Sequence, residues 1–170
     1  MEPLKVIQVI SDNLRFEVLD DRRYRLLKDS LITIRTDSGY IQMYLKAGFL
    51  SDGRSGGVLV DWLIPNMGSQ SYRPCPIFHD GGFAHASACL LSSQEPVLSF
   101  ETMNSIFEQM LVLPKKMGGA GLAEWRAKLA YAGVSTGFGR EAYENVDKID
   151  RKNVGMVRIE WRPRLMSYYK

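Results

Sequence analysis

The chain has 170 residues, of which 45% are hydrophobic and 24% charged, and its formal net charge is +3. This length suits one domain with a substantial core, and the composition is that of a globular protein. The longest apolar run, Val58 to Ile64, is interrupted by Asp61 and is too short to span a membrane. The first residues do not form a secretory signal, and two cysteines do not make a disulfide framework. Membrane proteins and disulfide-stapled secreted scaffolds are therefore excluded.

The first part of the chain predicts β-strands. Short runs rich in β-branched and aromatic residues alternate with a period of two and are separated by polar turn residues. A turn at Thr36 to Gly39 joins the last two runs as a hairpin. The predicted strands are Leu4 to Ile10, Arg15 to Leu19, Tyr24 to Leu27, Leu31 to Arg35 and Tyr40 to Leu45.

Helical periodicity begins after the glycine-rich segment Ser51 to Gly57. Ser99 is the predicted N-cap of a helix that Pro114 ends. A second helix is predicted from about Leu122 to a stop at Gly137-Phe138-Gly139. Its apolar stripe consists of Leu122, Trp125, Leu129 and Ala132.

Strands followed by helices predict an α+β fold, in which an N-terminal antiparallel β-meander packs against a C-terminal helical half. Val157 to Trp161 alternates again and predicts a final strand. We expect one domain over residues 1–145, β-rich over 1–47 and with a loop and helices over 48–140. Residues 146–170 are predicted to form a basic aromatic tail that docks as a strand or an arm.

The predicted tail is the most basic part of the chain. Asn145 to Lys170 contain seven Lys or Arg residues and three Asp or Glu residues. Basic side chains interleaved with aromatic ones are typical of surfaces that bind nucleic acid or an acidic protein. A solvated edge strand with protective charges is the alternative. The candidate interaction residues are Arg158, Trp161, Arg162, Arg164, Tyr168 and Tyr169.

Both cysteines and both histidines lie in one short segment, as Cys75-x3-His79-x5-His85-x3-Cys89. Each Cys/His pair has the i,i+4 spacing of one helical face, so the four side chains could bind zinc if the intervening residues turn the chain. The short Cys-x2-4-Cys knuckle usual in such sites is absent. A continuous buried helix with unreactive cysteines explains the segment equally well.

The His79-Asp80 doublet suggests a second kind of metal site. Adjacent His and Asp bind a divalent cation in HD-type phosphohydrolases, but those sites need further upstream histidines, and none precedes His79. Ser55 with His79 and Asp80 does not make a hydrolase triad, because adjacent His and Asp side chains diverge. On the preceding loop, Asp52 or Ser55 is predicted to cap the following helix.

Four segments in order resemble a mainly phage-encoded family, the domain of unknown function numbered 1353. They are Gly48-Phe49-Leu50-Ser51-Asp52-Gly53-Arg54-Ser55, His79-Asp80-Gly81-Gly82-Phe83, Met103-Asn104-Ser105-Ile106-Phe107, and Trp125 to Tyr131 continuing to Phe138-Gly139. The resemblance covers about residues 40–140. The chain departs from the family pattern at Asn104, where aspartate is usual, at Phe83, where tyrosine is usual, and at Arg54 with Gly56-Gly57.

The resemblance implies a virion component of the phage tail, neck or capsid, assembled in the host cytoplasm. Its partners would be neighbouring virion proteins, with a homo-oligomer or nucleic acid as further candidates and no membrane. The alternative is a hydrolase, acting for example on the cell wall, in which His79, Asp80, Asp52 and Ser55 are catalytic. In that case His79, Asp80 and Asp52 would hold a divalent metal or act as acid and base. A buried polar cluster that only ties the loop to the helix is equally compatible with these residues.

Overall fold

The computed structural model describes residues 4–11, 14–19, 23–51, 73–117, 122–149 and 151–164. These residues form the predicted α+β fold, with antiparallel N-terminal strands, C-terminal helices and a final strand. The strands are β1 Val6–Ser11, β2 Phe16–Val18, β3 Tyr24–Leu26, β4 Ser30–Thr36, β5 Gly39–Leu45, β6 Leu50–Ser51 and β7 Val157–Pro163. The helices are α1 Pro74–Leu91, α2 Phe100–Lys116, α3 Glu124–Val134 and α4 Gly137–Glu144. Two 3₁₀ turns, Val146–Lys148 and Arg151–Asn153, connect α4 to β7.

The strands form two antiparallel sheets. The larger has the order β1-β4-β5-β7, and the smaller has the order β2-β3-β6. The predicted hairpin is present as β4 and β5, in which Ile34 lies opposite Ile41. Strands β2 and β3 pair with each other, and β3 also pairs with β6, so β1 skips them and pairs with β4. Six of the strands overlap the runs predicted from the alternation, whereas β6 lies in the predicted loop. The order in which the strands pair depends on the whole chain.

Helix α1 occupies the centre of the molecule and is buried on most sides. A side-chain carbon added at Gly81 would lie 2.6 Å from the Met43 sulfur on β5, and one added at Gly82 would lie closer still to the Met103 sulfur on α2. The two glycines therefore let α1 fit between the sheet and α2. None of the described helices is long and apolar enough to cross a membrane.

The zinc interpretation of the Cys/His segment is wrong, because α1 is one uninterrupted helix from Pro74 to Leu91. At 1.5 Å per residue, about 21 Å of helix separates Cys75 from Cys89, so the two Cys/His pairs cannot meet at one ion. Both cysteines are free and buried. The alternative interpretation, a buried helix with structural cysteines, is the one that the fold supports.

The predicted start of α2 is confirmed, because the Ser99 hydroxyl accepts a hydrogen bond from the Thr102 amide at 3.2 Å. Its predicted end is wrong: Pro114 lies inside the helix, which continues to Lys116. Proline here removes a single hydrogen bond from the last turn, and the Met117 amide still bonds to the Leu113 carbonyl at 3.1 Å. A proline so close to the end shortens the hydrogen-bond ladder without breaking the helix.

The predicted second helix is wrong in its end and in its buried face. It ends at Val134, and Gly137-Phe138-Gly139 begins α4 instead of stopping α3. Its buried residues are Ala127, Ala130 and Val134, whereas Trp125 and Leu129 are 56% and 49% exposed. The small side chains of Ala127 and Ala130 allow α3 to pack closely against α2. The large side chains of Trp125 and Leu129 are left on the exposed side of α3.

Strand β7 incorporates part of the predicted tail into the sheet. It pairs with β5 from Leu45 opposite Val157 to Gly39 opposite Pro163. The side chains of Val157 and Ile159 are buried in the core. Residues 157–163 are thus a sheet strand, and the predicted interaction residues Tyr168 and Tyr169 lie outside the described residues.

Candidate functional site

A cleft of about 360 Å³ runs along one side of α1. His79, Asp80, Phe83, Ala84 and Ser87 line it from successive turns of the helix. Strand β6, Arg23 just before β3, helix α4 and the two 3₁₀ turns supply the rest of the described lining. The cleft therefore contains the His79-Asp80 doublet that the sequence singled out.

The His79 side chain is enclosed, with 4% of the residue exposed. Its Nε2 atom lies 3.1 Å from Oδ1 of Asn104, and the Asn104 amide nitrogen donates to the Ser135 hydroxyl at 3.3 Å. With the amide nitrogen directed at Ser135, the Asn104 oxygen faces the ring and accepts from Nε2–H of His79. The ring also lies 5.0 Å from each of the Phe83 and Phe107 rings, measured between centroids. The imidazole is thus held in one orientation.

The Asp80 carboxylate is held by a hydrogen bond from strand β6. The Ser51 hydroxyl donates to Oδ2 of Asp80 at 2.5 Å. The other carboxylate oxygen, Oδ1, lies 3.9 Å from Nδ1 of His79, which is too long for a direct hydrogen bond. The side chains of the doublet therefore diverge as the sequence predicted, and a Ser-His-Asp relay is not formed by these residues.

Together these contacts make a polar network that joins four parts of the fold. Ser51 belongs to β6, His79 and Asp80 to α1, Asn104 to α2, and Ser135 ends α3. Buried polar groups of this kind are stable only when each has a partner. We call these five residues the His79 network.

The rim of the cleft is cationic. Arg23, Lys148 and Lys152 line it, and Asp80 is the one carboxylate among the described lining residues. Asn153 fixes the rim to β6, because its side chain accepts from the Leu50 amide at 2.9 Å and donates to the Leu50 carbonyl at 2.6 Å. These two hydrogen bonds to the Leu50 backbone resemble those of a neighbouring strand, and they hold the second 3₁₀ turn against β6.

The remaining ionisable groups of α1 are poor candidates for catalysis. Burial raises the pKa of the Cys75 thiol to about 12 and also raises the pKa of Cys89. Neither thiol is therefore a nucleophile at neutral pH. Burial lowers the pKa of His85, against a smaller opposing effect of a hydrogen bond to the Val157 backbone. His85 lies 3.5 Å from the Cys89 sulfur, which makes it part of the packing.

The structure brings together only part of the predicted catalytic and metal set. His79 and Asp80 are adjacent in the cleft, while Asp52 and Ser55 lie outside the described residues. Within the described ranges, no group of three or more His, Cys, Asp or Glu side chains could hold a metal ion. A metal site that includes Asp52 therefore stays a prediction.

Three members of the network, Ser51, Asn104 and Ser135, had no assigned role in the sequence interpretation. Asn104 stood out only as a missing carboxylate, yet its amide oxygen is the partner of His79. Ser51 appeared only as part of the glycine-rich loop, yet it bonds to Asp80. The departure from the resembled pattern at Asn104 was the available signal, since an amide oxygen can orient an imidazole without adding charge.

The predicted interaction residues of β7 lie on different sides of the sheet. Arg158, Glu160 and Arg162 share the side of the strand that lies away from the helices. Their partners on β5 are Tyr44, Gln42 and Tyr40, in that order. Trp161 lies on the opposite side and packs partly buried against the core. We call Tyr40, Gln42, Tyr44, Arg158, Glu160 and Arg162 the outer face. Arg164 is exposed just beyond it, and its amide bonds to the Ser38 carbonyl at 2.9 Å.

No family model, no curated protein and no solved structure matches the chain. The resemblance to the phage family of unknown function therefore rests on the sequence motifs quoted above. It stays a prediction, as does any role drawn from it.

Proposed function

We propose that the protein is a phage virion component that binds a neighbouring virion protein through the outer face. The supporting observation is an exposed cationic and aromatic surface on a terminal strand of the sheet. In the order β1-β4-β5-β7, strand β7 has β5 on one side, and none of the described strands pairs with its other edge. A terminal strand offers backbone hydrogen bonds to a partner.

The side chains of the outer face are already ordered. The Arg158 guanidinium lies 4.6 Å from the centre of the Tyr44 ring, and Glu160 accepts from Arg162 at 3.0 Å. Arg158 also lies 3.3 Å from Glu160, so the single acid is shared by two arginines. One positive charge is left in excess, which favours a partner with an acidic surface. Tyrosine and arginine are the side chains that most often anchor protein interfaces.

Mass spectrometry of purified virions tests the proposal, using the phage that encodes the chain. We expect the wild-type chain in the particles at a fixed copy number. The double variant Arg158→Glu/Arg162→Glu should fold but be lost from the particles or strongly reduced. Its matched control is Lys115→Glu/Lys116→Glu, which makes the same charge change at the end of α2, away from the sheet. Particles that form normally without the chain would overturn the proposal.

A second candidate, a hydrolase centred on His79, is favoured by the opening of the cleft at the doublet. With Nε2 bonded to Asn104, Nδ1 is the ring nitrogen left to act in general acid–base catalysis, and Asp80 is beside it. Release of soluble fragments from purified host cell walls is the assay. Loss of that activity in His79→Gln and Asp80→Asn, at unchanged folding, would support catalysis, and inactivity of the wild type would reject it.

A further inference from the structure

We propose that two copies of the chain associate through the open edge of β1, with the two strands antiparallel and related by a two-fold axis at Ile10. In the order β1-β4-β5-β7, β1 is the terminal strand opposite β7, and none of the described strands pairs with its other edge. The proposal goes beyond the docking function above, because it uses the other end of the sheet and a second copy of the chain.

The first part of the β1 edge is already covered. The Gln109 side chain on α2 accepts from the Val6 amide and donates to the Leu4 carbonyl, each at 2.8 Å. The register of β1 then shifts between Val6 and Gln8, as at a β-bulge. A covering helix and a bulge both protect a terminal strand from other chains. Here both are confined to the beginning of β1.

The hydrogen bonds of β4 show which way the rest of β1 faces. The Asp37 amide, directly after β4, donates to the Lys5 carbonyl at 3.1 Å, so this position faces the β1 side. Successive residues of an antiparallel strand direct their backbone groups to alternate sides. Arg35 and Thr33 therefore also direct their amides and carbonyls toward β1.

The β1 partners of those two residues are Gln8 and Ile10, whose backbone groups therefore face β4. Val9 and Ser11 alternate with them, so their amides and carbonyls face the open edge. An identical antiparallel strand can lie there with its Ser11 opposite Val9. Each of the two symmetry-related Val9–Ser11 pairs then exchanges both N–H···O bonds. The edge is thus complementary to itself.

The composition of β1 favours a second copy as the occupant. Its six residues, VIQVIS, include no charged residue and no proline. Strand β7, at the other end of the sheet, has two arginines, one glutamate and a proline among its seven residues. Charges and proline protect a terminal strand, and like charges directly opposite each other destabilise a strand pair. Two copies of β1 can pair without either obstacle.

An exposed apolar side chain lies at the proposed axis. Ile10 is 50% exposed. It lies opposite Thr33, which lies opposite Gln42 of the outer face, so Ile10 is on the same side of the sheet. In the dimer it would contact Ile10 of the second copy and lose exposed apolar surface. An axis perpendicular to the sheet also places the two outer faces on one side of a continuous sheet.

Sedimentation velocity of the purified chain tests the association at concentrations from about 10 µM to about 1 mM, since a small interface is weak. We expect the mass of one chain at the low end and a rise toward twice that mass at the high end. Ile10→Lys should keep the chain monomeric without a change in melting temperature, because it places like charges opposite each other at the axis. The matched control Val18→Lys introduces the same charge on β2, the terminal strand of the smaller sheet, and should associate as the wild type does.

A disulfide tests the register. Opposite residues of a non-hydrogen-bonded antiparallel pair have Cα atoms about 4.5 Å apart, which a disulfide can span. With oxidised glutathione taking up the two protons and two electrons of the new bond, Ile10→Cys should form covalent dimers at least tenfold faster than Val18→Cys. Val18 is the more exposed, at 67%, so its variant gives the rate of chance collision. The natural cysteines, Cys75 and Cys89, are buried in both proteins.

Three results would each overturn the proposal. One is a wild-type chain that stays monomeric at every concentration. Another is association that Ile10→Lys leaves intact, which would place the contact on a different surface. The third is equal rates of disulfide formation by Ile10→Cys and Val18→Cys. None of these results affects the virion proposal, which is read from particle composition.

Discussion

The His79 network and the outer face contain similar kinds of side chain in opposite surroundings. In the network, His79 and Asn104 are buried and each polar contact connects two elements of the fold. On the outer face, Arg158 and Arg162 have side chains that are 66% and 60% exposed, and their contacts stay within two adjacent strands.

The two regions differ in how much a substitution is expected to lower the free energy of unfolding. A buried polar group that loses its partner costs the fold its full desolvation penalty, while an exposed ion pair contributes little. Substitutions in the network are therefore expected to lower the stability of the fold, whatever they do to function. Substitutions on the outer face test function almost alone.

The largest effect is expected from truncation after Asn153. It removes β7, uncovers the edge of β5 and takes Val157 and Ile159 out of the core. We expect loss of cooperative folding, because β5 keeps only one neighbouring strand and a core cavity arises at the same time. Circular dichroism melting is the measurement. A truncated chain that melts as the full chain does would show that β7 is a separable arm.

His79→Ala is expected to lower the free energy of unfolding by about 3 kcal/mol. It leaves the Asn104 oxygen without its partner and a cavity between the Phe83 and Phe107 rings. Urea unfolding measures the loss. Ser92→Ala on the surface after α1 is the control, and a loss no larger than the control's would mean that the network does not stabilise the fold.

Acidification is expected to reduce stability by a smaller amount through His85. Because burial lowers its pKa in the folded protein, the unfolded chain binds the proton more readily. The stabilisation is complete above the unfolded value of about 6.5 and is lost as the pH falls through the lowered folded value. Urea unfolding at several pH values from about 7 to about 5, a range that includes the unfolded pKa, measures the change in the free energy of unfolding with pH. His85→Gln should flatten it, and equal slopes for the two proteins would contradict the assignment.

The smallest effect is expected on the outer face. Arg158→Ala should change the free energy of unfolding by less than about 0.5 kcal/mol, since the removed contacts are exposed. The same urea experiment measures it. A loss comparable to that of His79→Ala would remove the distinction between the two regions.

Local patterns of the sequence were sufficient to predict every described strand except the two-residue β6. Alternation in Ile41, Met43 and Leu45 reflects one buried side of a sheet, and that signal is contained in a few neighbouring residues. The N-cap at Ser99 is local in the same way. The pairing of β1 with β4 and of β3 with β6 depends on contacts between distant segments, which periodicity does not contain.

The candidate site was predicted in part for the same reason. His79 and Asp80 stood out as adjacent chemical groups, but their partners Asn104 and Ser51 are 25 and 29 residues away and are ordinary polar residues. The buried face of α3 was missed because its contacts are made by alanines. A large apolar stripe such as Trp125 with Leu129 gives a stronger signal than small residues that pack closely.

The pairing of β5 with β7 has a consequence for the synthesis of the chain. More than a hundred residues separate the two strands, and every helix of the described fold is made between them. A ribosome-bound chain that has not reached residue 157 cannot complete the sheet, and long-range pairing of this kind folds slowly. Until then the edge of β5, with its alternating Ile41, Met43 and Leu45, is open to other chains. The protein therefore reaches its final form only when its last strand has been translated.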